Sequence, residues 1–389
     1  MMPMPVSDDS PLIDVLLPAY NAARTIRSAI DSIRQQTVTK IRIIAIDDGS
    51  TDETFSILEE LAQVEPRMLV LSKPNTGITD TLRVGLEHCH ASLIARHDAD
   101  DLSEPDRFET ELAYLEAHPD CVAVSGAARH IDVHGHPTGH IARMRPLDAT
   151  DCDWIPAREP HLIQPFLMMR REAFDAVGGY RSLFVSEDSD LYWRLQEIGR
   201  LHNLDKILGS YRVHATSITS ASIQNGRMTA LCSQLVALSA RRRRDRRPDL
   251  QFSLADMKEY KAAAATLRDL YAIGCRQLDP QERHHLRVAM AVKMMELCFY
   301  RLFELSLEDC RFIGQALREE ADLATGENRT ILAETTMTTA VRLAAKGLLV
   351  NAVMLLPRKR IPVMLGRLAF RVMLPESLRD WVKRLRGRG

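Results

Sequence analysis

The sequence predicts an α/β fold, with a mixed, mostly parallel sheet flanked by helices and then a helical carboxyl-terminal region. Two observations support this prediction. Over the first hundred of the 389 residues, short apolar runs alternate with segments of helical periodicity, which is typical of a parallel sheet covered on both faces. From about residue 222 onward, the chain is helical in character and poor in turn residues.

Four short apolar runs predict the first strands, and helical spacing between them predicts the connecting helices. The runs cover residues 13–17, 41–46, 68–71 and 92–96. The spacing of Ser50 and Glu53 is that of a capping box, so we expect a helix to open at Ser50. Connections of this kind are right-handed and leave a ligand crevice at the carboxyl ends of the strands.

Further along the chain, the pattern predicts shorter elements. Helices are expected over residues 107–117 and 171–177 and from Ser186, a strand over 122–125, and a hairpin over 130–140. The arginine-rich run of residues 241–248 separates two helical stretches, and we interpret it as an exposed linker.

Composition and motifs exclude several classes of protein. The seven cysteines form no C-x-x-C pair, which argues against a zinc ribbon and a redox pair. Such unclustered cysteines are typical of reduced thiols in a cytosolic protein, and the N-terminus lacks the features of a signal peptide. There is no G-x-G-x-x-G and no P-loop motif, so the usual dinucleotide and P-loop phosphate sites are absent from the sequence.

Charge is distributed unevenly along the chain. Residues 341–389 hold 12 Lys/Arg and 2 Asp/Glu, while the first 340 residues hold 39 and 50. The apolar run of residues 347–356 is too short to span a bilayer. Basic residues beside apolar ones favour helices lying on an anionic membrane surface. The alternative is that these helices pack on the preceding domain.

Asp98 and Asp100 stand at alternate positions after the fourth strand and predict a divalent metal site. Mg²⁺ and Mn²⁺ prefer such oxygen ligands and complete their shell with water and substrate phosphates. A competing interpretation is a phosphatase of the haloacid dehalogenase type, in which the first aspartate is the nucleophile. That family has Thr or Val two residues after the second aspartate, where this chain has Leu102.

Two other acidic segments each allow a structural and a functional interpretation. Asp47 and Asp48, after the second strand, form either a turn or an acceptor for a nucleobase edge, with Tyr20 near enough to stack on the base. Asp188 lies in an acidic run at the start of a helix, where the helix dipole favours negative charge. It is alternatively a general base that activates an acceptor hydroxyl.

Four histidines lie close together at positions 130, 134, 136 and 140. Their irregular, Gly- and Pro-rich spacing favours a solvated hairpin over a zinc site.

Taken together, these motifs resemble those of a family 2 glycosyltransferase of the GT-A type, and they occur in the family's order over about residues 11–220. The segments that carry the resemblance are 15–21, 43–53, 74–78, 93–101 with 105–107, 178–180, 186–195 and 211–214. The resemblance implies an inverting transferase that uses a sugar-nucleotide donor. The Q-x-x-R-W motif of processive synthases is absent, which favours transfer of one sugar per binding event.

The resemblance also implies roles for individual residues. Asp188 corresponds to the catalytic base, Asp100 to the direct metal ligand, and His214 to a histidine that approaches the metal or diphosphate. The donor would be bound by Pro18, Tyr20, Asp48, Arg83 and Asp98. Many members have Arg-Asn where this chain has Leu82-Arg83.

The predicted organisation is a catalytic domain over residues 11–220, a helical extension over 221–340 and a basic amphipathic tail over 341–389. We expect Mg²⁺ or Mn²⁺ as cofactor, a glycan or lipid-linked acceptor, and no nucleic acid partner. The expected location is the cytoplasm, with peripheral contact at the inner face of the cell membrane. The alternatives are a nucleotidyltransferase, whose Gly-rich loop after the first strand is missing, and a non-catalytic adaptor that binds through its basic tail.

Overall fold

The structure is a computed structural model that describes residues 10–213, 222–301, 303–319 and 327–373. The chain divides into two compact units. Within the described residues, the first unit comprises 10–152, 158–213 and 239–257, and the second comprises 153–157, 222–238 and the described residues from 258 onward. The three-part division made from the sequence stays a prediction.

The described strands form one sheet in the first unit, in the order β3-β2-β1-β4-β8-β6-β9-β5, with β7 paired to β6. β1, β2, β3 and β4 are parallel neighbours, whereas β8 is antiparallel to β4 and β6, and β9 runs parallel to β6. The bounds are Ile13–Ala19, Ile41–Asp47, Met68–Ser72, Leu93–Arg96, Leu102–Ser103, Cys121–Ile131, Pro137–Ala142, Met168–Arg170 and Arg200–Arg212 for β1 to β9.

Helices follow most strands and then dominate the second unit. The bounds for α1 to α7 are Ile26–Arg34, Thr54–Val64, Ile78–Glu87, Arg107–Ala117, Arg171–Ala176, Glu187–Gln196 and Ile223–Arg244. The bounds for α8 to α14 are Leu254–Ala263, Leu267–Gly274, Pro280–Tyr300, Leu307–Glu319, Glu327–Ala345, Leu349–Leu355 and Ile361–Met373. The predicted fold class, a mixed and mostly parallel sheet followed by a helical region, is confirmed.

The sheet is covered on both faces because alternate side chains of each strand point to opposite sides. On one face, Val15 and Leu17 of β1 belong to a core cluster with Ile30 of α1. On the other face, Leu16 belongs to a second cluster that includes Leu82 of α3. Burial on both sides explains why the strands are continuous apolar runs rather than alternating ones.

Two local predictions are wrong. No capping box forms at Ser50: α2 begins at Thr54, and the Ser50 hydroxyl instead accepts a hydrogen bond from the backbone N–H of Asn21 at 2.9 Å. The Asp47 carboxylate holds the Ser50 N–H at 3.2 Å, so this turn joins the ends of β1 and β2 before the helix starts.

The arginine-rich run is also not an exposed linker throughout, since residues 241–244 complete α7. Arg243 lies 2.8 Å from both Glu197 and Asp249. These carboxylates offset its charge and allow the helix to continue through the run.

Candidate active site

Polar residues collect where β1, β2 and β4 end, at the carboxyl edge of the sheet. The Asp48 N–H donates to the Ala19 carbonyl at 2.8 Å, and the His97 N–H donates to the Leu16 carbonyl at 3.1 Å. The three adjacent strand ends therefore carry Tyr20, Asp48 and the segment that contains Asp98 and Asp100 to one edge, as the topology of a parallel sheet requires.

Three aspartates after β4 converge. The carboxylate oxygens of Asp98, Asp100 and Asp101 lie within 4.8 Å of one another, and within the described ranges this is the one group of acidic, His or Cys side chains close enough to hold a metal ion. The sequence predicted two of them and missed Asp101, which is buried. Burial, reinforced by the charges of Asp100 and Asp98, raises the pKa of Asp101 well above its usual range. A cation among these carboxylates would relieve that repulsion.

The triad of Asp98, Asp100 and Asp101 accepts hydrogen bonds from Arg212, at the end of β9. The backbone N–H of Arg212 donates to Asp101 Oδ1 at 2.7 Å, and Arg212 Nε donates to the Asp100 carbonyl at 2.8 Å. His214, the predicted third metal ligand, follows two residues later and lies outside the described residues.

Arg96 connects the triad to the second acidic segment. Its side chain is buried, and its Nη1 lies 2.9 Å from Asp98 Oδ1. Within the described part of the chain, its Nε has no hydrogen-bond partner. The Arg96 charge also lowers the pKa of Glu187, the first residue of α6. Nothing in the sequence pattern singled out this arginine.

A buried ion pair supports the same strand end. Arg107 Nε donates to Glu111 at 3.0 Å, and Arg107 Nη2 donates to the Arg96 carbonyl at 2.8 Å. Burial raises the pKa of Glu111 to about 7, although the charge of Arg107 opposes this shift. A buried arginine with several fixed acceptors keeps the backbone of β4 in place where the aspartates begin.

The acidic pair Glu187 and Asp188 opens α6, as the sequence predicted. The residue before the pair, Ser186, has a left-handed backbone with φ of 62°, which is rare for a residue with a side chain and is found where the surroundings fix it. Burial, followed by the charge of Asp188, raises the pKa of Glu187 to about 8. Burial is also the largest cause of the raised pKa of Asp188.

The environment of Asp188 is polar. Asp188 Oδ1 accepts the N–H of Ser189 at 2.7 Å, and the Ser189 hydroxyl donates to Glu159 at 2.5 Å. The charge of Glu159 raises the pKa of Asp188 and that of His161 lowers it. Asp188 is therefore a carboxylate with raised basicity, as a general base requires.

The loop before α6 is also hydrogen-bonded to the start of α3. The hydroxyl of Thr79, at the start of α3, donates to the Leu183 carbonyl at 2.5 Å. Asp190 pairs with Arg194 at 2.6 Å and with Arg181. These contacts fix the helix that presents Asp188.

The Asp48 carboxylate pairs with a lysine of its own chain and accepts backbone hydrogen bonds. Its Oδ1 lies 2.5 Å from Lys73 Nζ and accepts the Thr76 N–H at 3.1 Å, and its Oδ2 accepts the Gly77 N–H at 3.0 Å. Gly77 has a φ of 95°, where a residue with a side chain would be strained. Asp48 thus shapes the loop between β3 and α3, and its predicted contact with a base edge stays a prediction.

Three further residues, Pro18, Tyr20 and Arg83, are predicted to bind the sugar-nucleotide donor. Pro18 is buried in β1, whereas Tyr20 is 51% exposed just beyond it. Arg83 is exposed on α3, and its Nη1 donates to the Ser182 hydroxyl at 3.4 Å. An exposed aromatic ring and an exposed guanidinium are free to meet a ligand, and both roles stay predictions.

The predicted hairpin of the four histidines is confirmed, since β6 and β7 are antiparallel partners. The rings of His130 and His140 are tilted by 60° to each other, with centroids 4.5 Å apart.

The sequence motifs agree with comparisons to known proteins. The family model "Glycosyl transferase family 2" matches residues 14–178. The putative glycosyltransferase EpsE of Bacillus subtilis is 32% identical over 216 residues, which cover 54% of this chain and 75% of that protein. The chain therefore belongs to glycosyltransferase family 2, as the motifs implied.

Other relatives are similar over the same half of the chain. The amylovoran biosynthesis glycosyltransferase AmsE of Erwinia amylovora is 27% identical over 205 residues, 52% of this chain and 76% of that protein. The chondroitin synthase of Escherichia coli is 30% identical over 222 residues, 55% of this chain but 31% of that protein. Among solved structures, S. aureus TarS 1–349 in complex with UDP-GlcNAc aligns with a TM-score of 0.49 at 15% identity, covering 84% of this chain and 91% of that one.

Proposed function

We propose that this protein is an inverting glycosyltransferase that moves one sugar from a nucleotide diphosphate to an acceptor hydroxyl, in the synthesis of a cell-surface polysaccharide or glycolipid. The observation that supports this most strongly is the convergence of three carboxylates, those of Asp98, Asp100 and Asp101, within 4.8 Å of one another at the carboxyl edge of the sheet. A cation-binding cluster and a basic carboxylate in one site are what a single displacement with a diphosphate leaving group requires. The names of the polysaccharide-synthesising relatives support the product class.

Asp188 is the proposed base. As the acceptor oxygen attacks the anomeric carbon, Asp188 takes the hydroxyl proton, the new C–O bond forms, and the bond from that carbon to the diphosphate oxygen breaks. Attack opposite the leaving group inverts the configuration. The raised pKa of Asp188 suits this step because a more basic carboxylate takes up the hydroxyl proton more readily.

Asp100 and Asp98 are the proposed holders of Mg²⁺ or Mn²⁺, with His214 as a further ligand. The fit is chemical, since three carboxylates within 4.8 Å of one another supply the oxygen donors these ions prefer. A cation bound there would offset the charge that develops on the departing nucleotide diphosphate. Asp101, held by the backbone of Arg212, fixes the spacing of the other two.

The donor's nucleotide is proposed to lie across the ends of β1 and β2. Tyr20 would stack on the base, with Pro18 beneath it and Asp48 at its edge. Arg83 would flank the diphosphate from α3. These residues belong to the catalytic region that we propose over residues 11–220.

The proposed acceptor is a glycan or a lipid-linked glycan, and the proposed location is the cytoplasm at the inner face of the cell membrane. No nucleic acid takes part in this scheme.

A panel of sugar nucleotides tests the proposal. We expect the purified protein to hydrolyse at least one donor slowly and to release a nucleoside diphosphate, with loss of the activity in EDTA and recovery on adding Mn²⁺ or Mg²⁺. Formation of a nucleoside triphosphate and a sugar 1-phosphate on adding pyrophosphate would indicate a nucleotidyltransferase instead. Absence of turnover with every donor and metal would favour a non-catalytic adaptor, and full activity in EDTA would remove the metal from the scheme.

A further inference from the structure

Exposed apolar side chains are concentrated in one segment of the second unit, on and beside α13 and α14, which both contact α12. Six large apolar residues within positions 348–370 are at least one-third exposed, namely Leu348, Leu349, Val350, Val363, Leu365 and Phe370. Elsewhere in the described ranges, exposed apolar residues such as Val64 on α2 and Ile198 after α6 are far apart in sequence. Isolated exposed apolar residues are ordinary, whereas a group of them marks a binding surface.

Over residues 361–370 of α14, the exposed side chains are apolar apart from one arginine. Met364 is buried, whereas Val363 and Leu365 on either side of it and Phe370 further along are exposed. Between residues 361 and 370, the single charged side chain is Arg367, which lies 2.8 Å from Glu334 of α12. A water-facing helix surface normally carries polar residues, so this apolar surface indicates that α14 binds a further partner.

Basic residues accompany this apolar face. Residues 335–375 contain seven Lys/Arg and no Asp/Glu. Arg358 and Lys359 are exposed immediately before α14. Positive charge at the start of a helix opposes its dipole, so these residues do not serve the stability of α14.

We propose that α13 and α14 form a docking surface for an anionic phospholipid bilayer, with Leu349, Val350, Val363, Leu365 and Phe370 entering the interface and Arg358 and Lys359 meeting lipid phosphates. An apolar helix face flanked by cations is typical of helices that lie in the plane of a membrane. None of the described helices combines the length and the apolarity needed to cross a bilayer.

A bilayer fits this surface better than a second copy of the chain does. A symmetric dimer through α14 would bring the basic residues of the two copies together, because each copy contributes the same patch. An anionic bilayer would bury the apolar side chains in its interface and would pair the basic residues with lipid phosphates. This inference does not depend on the proposed reaction, although a lipid-linked acceptor would give it a purpose.

Vesicle flotation of the full chain tests the surface. We expect flotation with vesicles of equal parts phosphatidylcholine and phosphatidylglycerol, weaker flotation at high salt, and none with phosphatidylcholine alone. The double variant Arg358→Glu/Lys359→Glu should bind at least roughly 30-fold more weakly, because each basic residue near an anionic bilayer contributes about 1 kcal/mol. Val363→Glu/Phe370→Glu should abolish flotation, while the control Val64→Glu, on an equally exposed site of α2, should float like the unchanged protein.

Equal flotation of Val363→Glu/Phe370→Glu and the unchanged protein would overturn the proposal. So would a dimer in analytical ultracentrifugation that this variant dissociates, in the absence of vesicle binding. Sugar-nucleotide hydrolysis without vesicles separates the two proposals. We expect all surface variants to retain it, which also shows that they fold.

Discussion

Two acidic clusters built from the same kind of side chain differ in their surroundings in this protein. The triad of Asp98, Asp100 and Asp101 follows a strand, and its first two members are half-buried while Asp101 is buried. The pair of Glu187 and Asp188 starts a helix, where Glu187 is buried and Asp188 is half-buried, and burial is the leading cause of the raised pKa of each. The first cluster gathers three carboxylates in one place, whereas the second joins a desolvated carboxylate to one that stays partly accessible.

This difference assigns the clusters different chemistry. Converging, partly accessible carboxylates lower their mutual repulsion by binding a cation. Desolvated carboxylates lower their energy by binding a proton. Arg96 pairs with Asp98, and its charge also lowers the pKa of Glu187. In the function proposed above, the same residue type therefore holds a metal in one cluster and moves a proton in the other.

Asp188→Asn should have the largest effect. The amide keeps the shape of the side chain but cannot take a proton, so we expect turnover to fall by roughly 10³- to 10⁴-fold. Donor affinity, measured by calorimetry with the nucleotide diphosphate, should be unchanged. The matched control is Asp205→Asn, whose carboxylate is 89% exposed and should leave both quantities alone. Equal losses of donor affinity and turnover would contradict the assignment of Asp188 as the general base.

Asp100→Asn should have the next largest effect and a different signature. We expect turnover at fixed Mn²⁺ to fall by roughly 10²-fold, since stabilisation of the leaving group by a metal contributes several kcal/mol. Raising the Mn²⁺ concentration should restore part of the activity, which it should not do for Asp188→Asn. If extra metal rescued both variants alike, the two clusters would not differ as described.

Most of the sheet could be predicted from the sequence because it depends on local periodicity. The runs that form β1, β2, β3 and β4 are short and apolar, and they are bounded by turn residues. The failures occur where distant side chains decide the outcome. Ser50 lost its capping role because Asn21, on another loop, uses its hydroxyl.

The site could be predicted only in part, for the same reason. Asp98, Asp100 and Asp188 stand out because each lies at the end or start of a regular element. Arg96 and Arg107 look like ordinary residues of a strand and a helix, and only the fold shows that both are buried beside the triad. Asp48 was assigned to a ligand, and no sequence pattern indicated that Lys73 would pair with it.

Arg96→Met tests the link between the clusters. Loss of the guanidinium leaves Asp98 without its 2.9 Å partner and removes a charge that lowers the pKa of Glu187. We expect turnover to fall about tenfold, which corresponds to about 1.4 kcal/mol, and the Mn²⁺ requirement to change less than in Asp100→Asn. Arg96→Lys should recover part of the loss. Wild-type kinetics in Arg96→Met would show that the clusters act independently.

The smallest expected effect is on the free energy of unfolding. This measurement tests the pair of Glu187 and Asp188 independently of catalysis. The pKa of Glu187 is raised from 4.5 to about 8, so its folded state favours the protonated form. That contribution is complete below pH 4.5 and is lost as the pH rises through 8. Glu187→Gln removes the titration, and we expect the free energy of unfolding in urea to exceed that of the unchanged protein at pH 8 by on the order of 1 kcal/mol, with little difference at pH 5. A variant less stable than the unchanged protein at pH 8 would mean that Glu187 is ionised and usefully paired with Arg96. The pair would then resemble the triad, and the distinction between a metal-binding and a proton-binding cluster would have to rest on Asp188 alone.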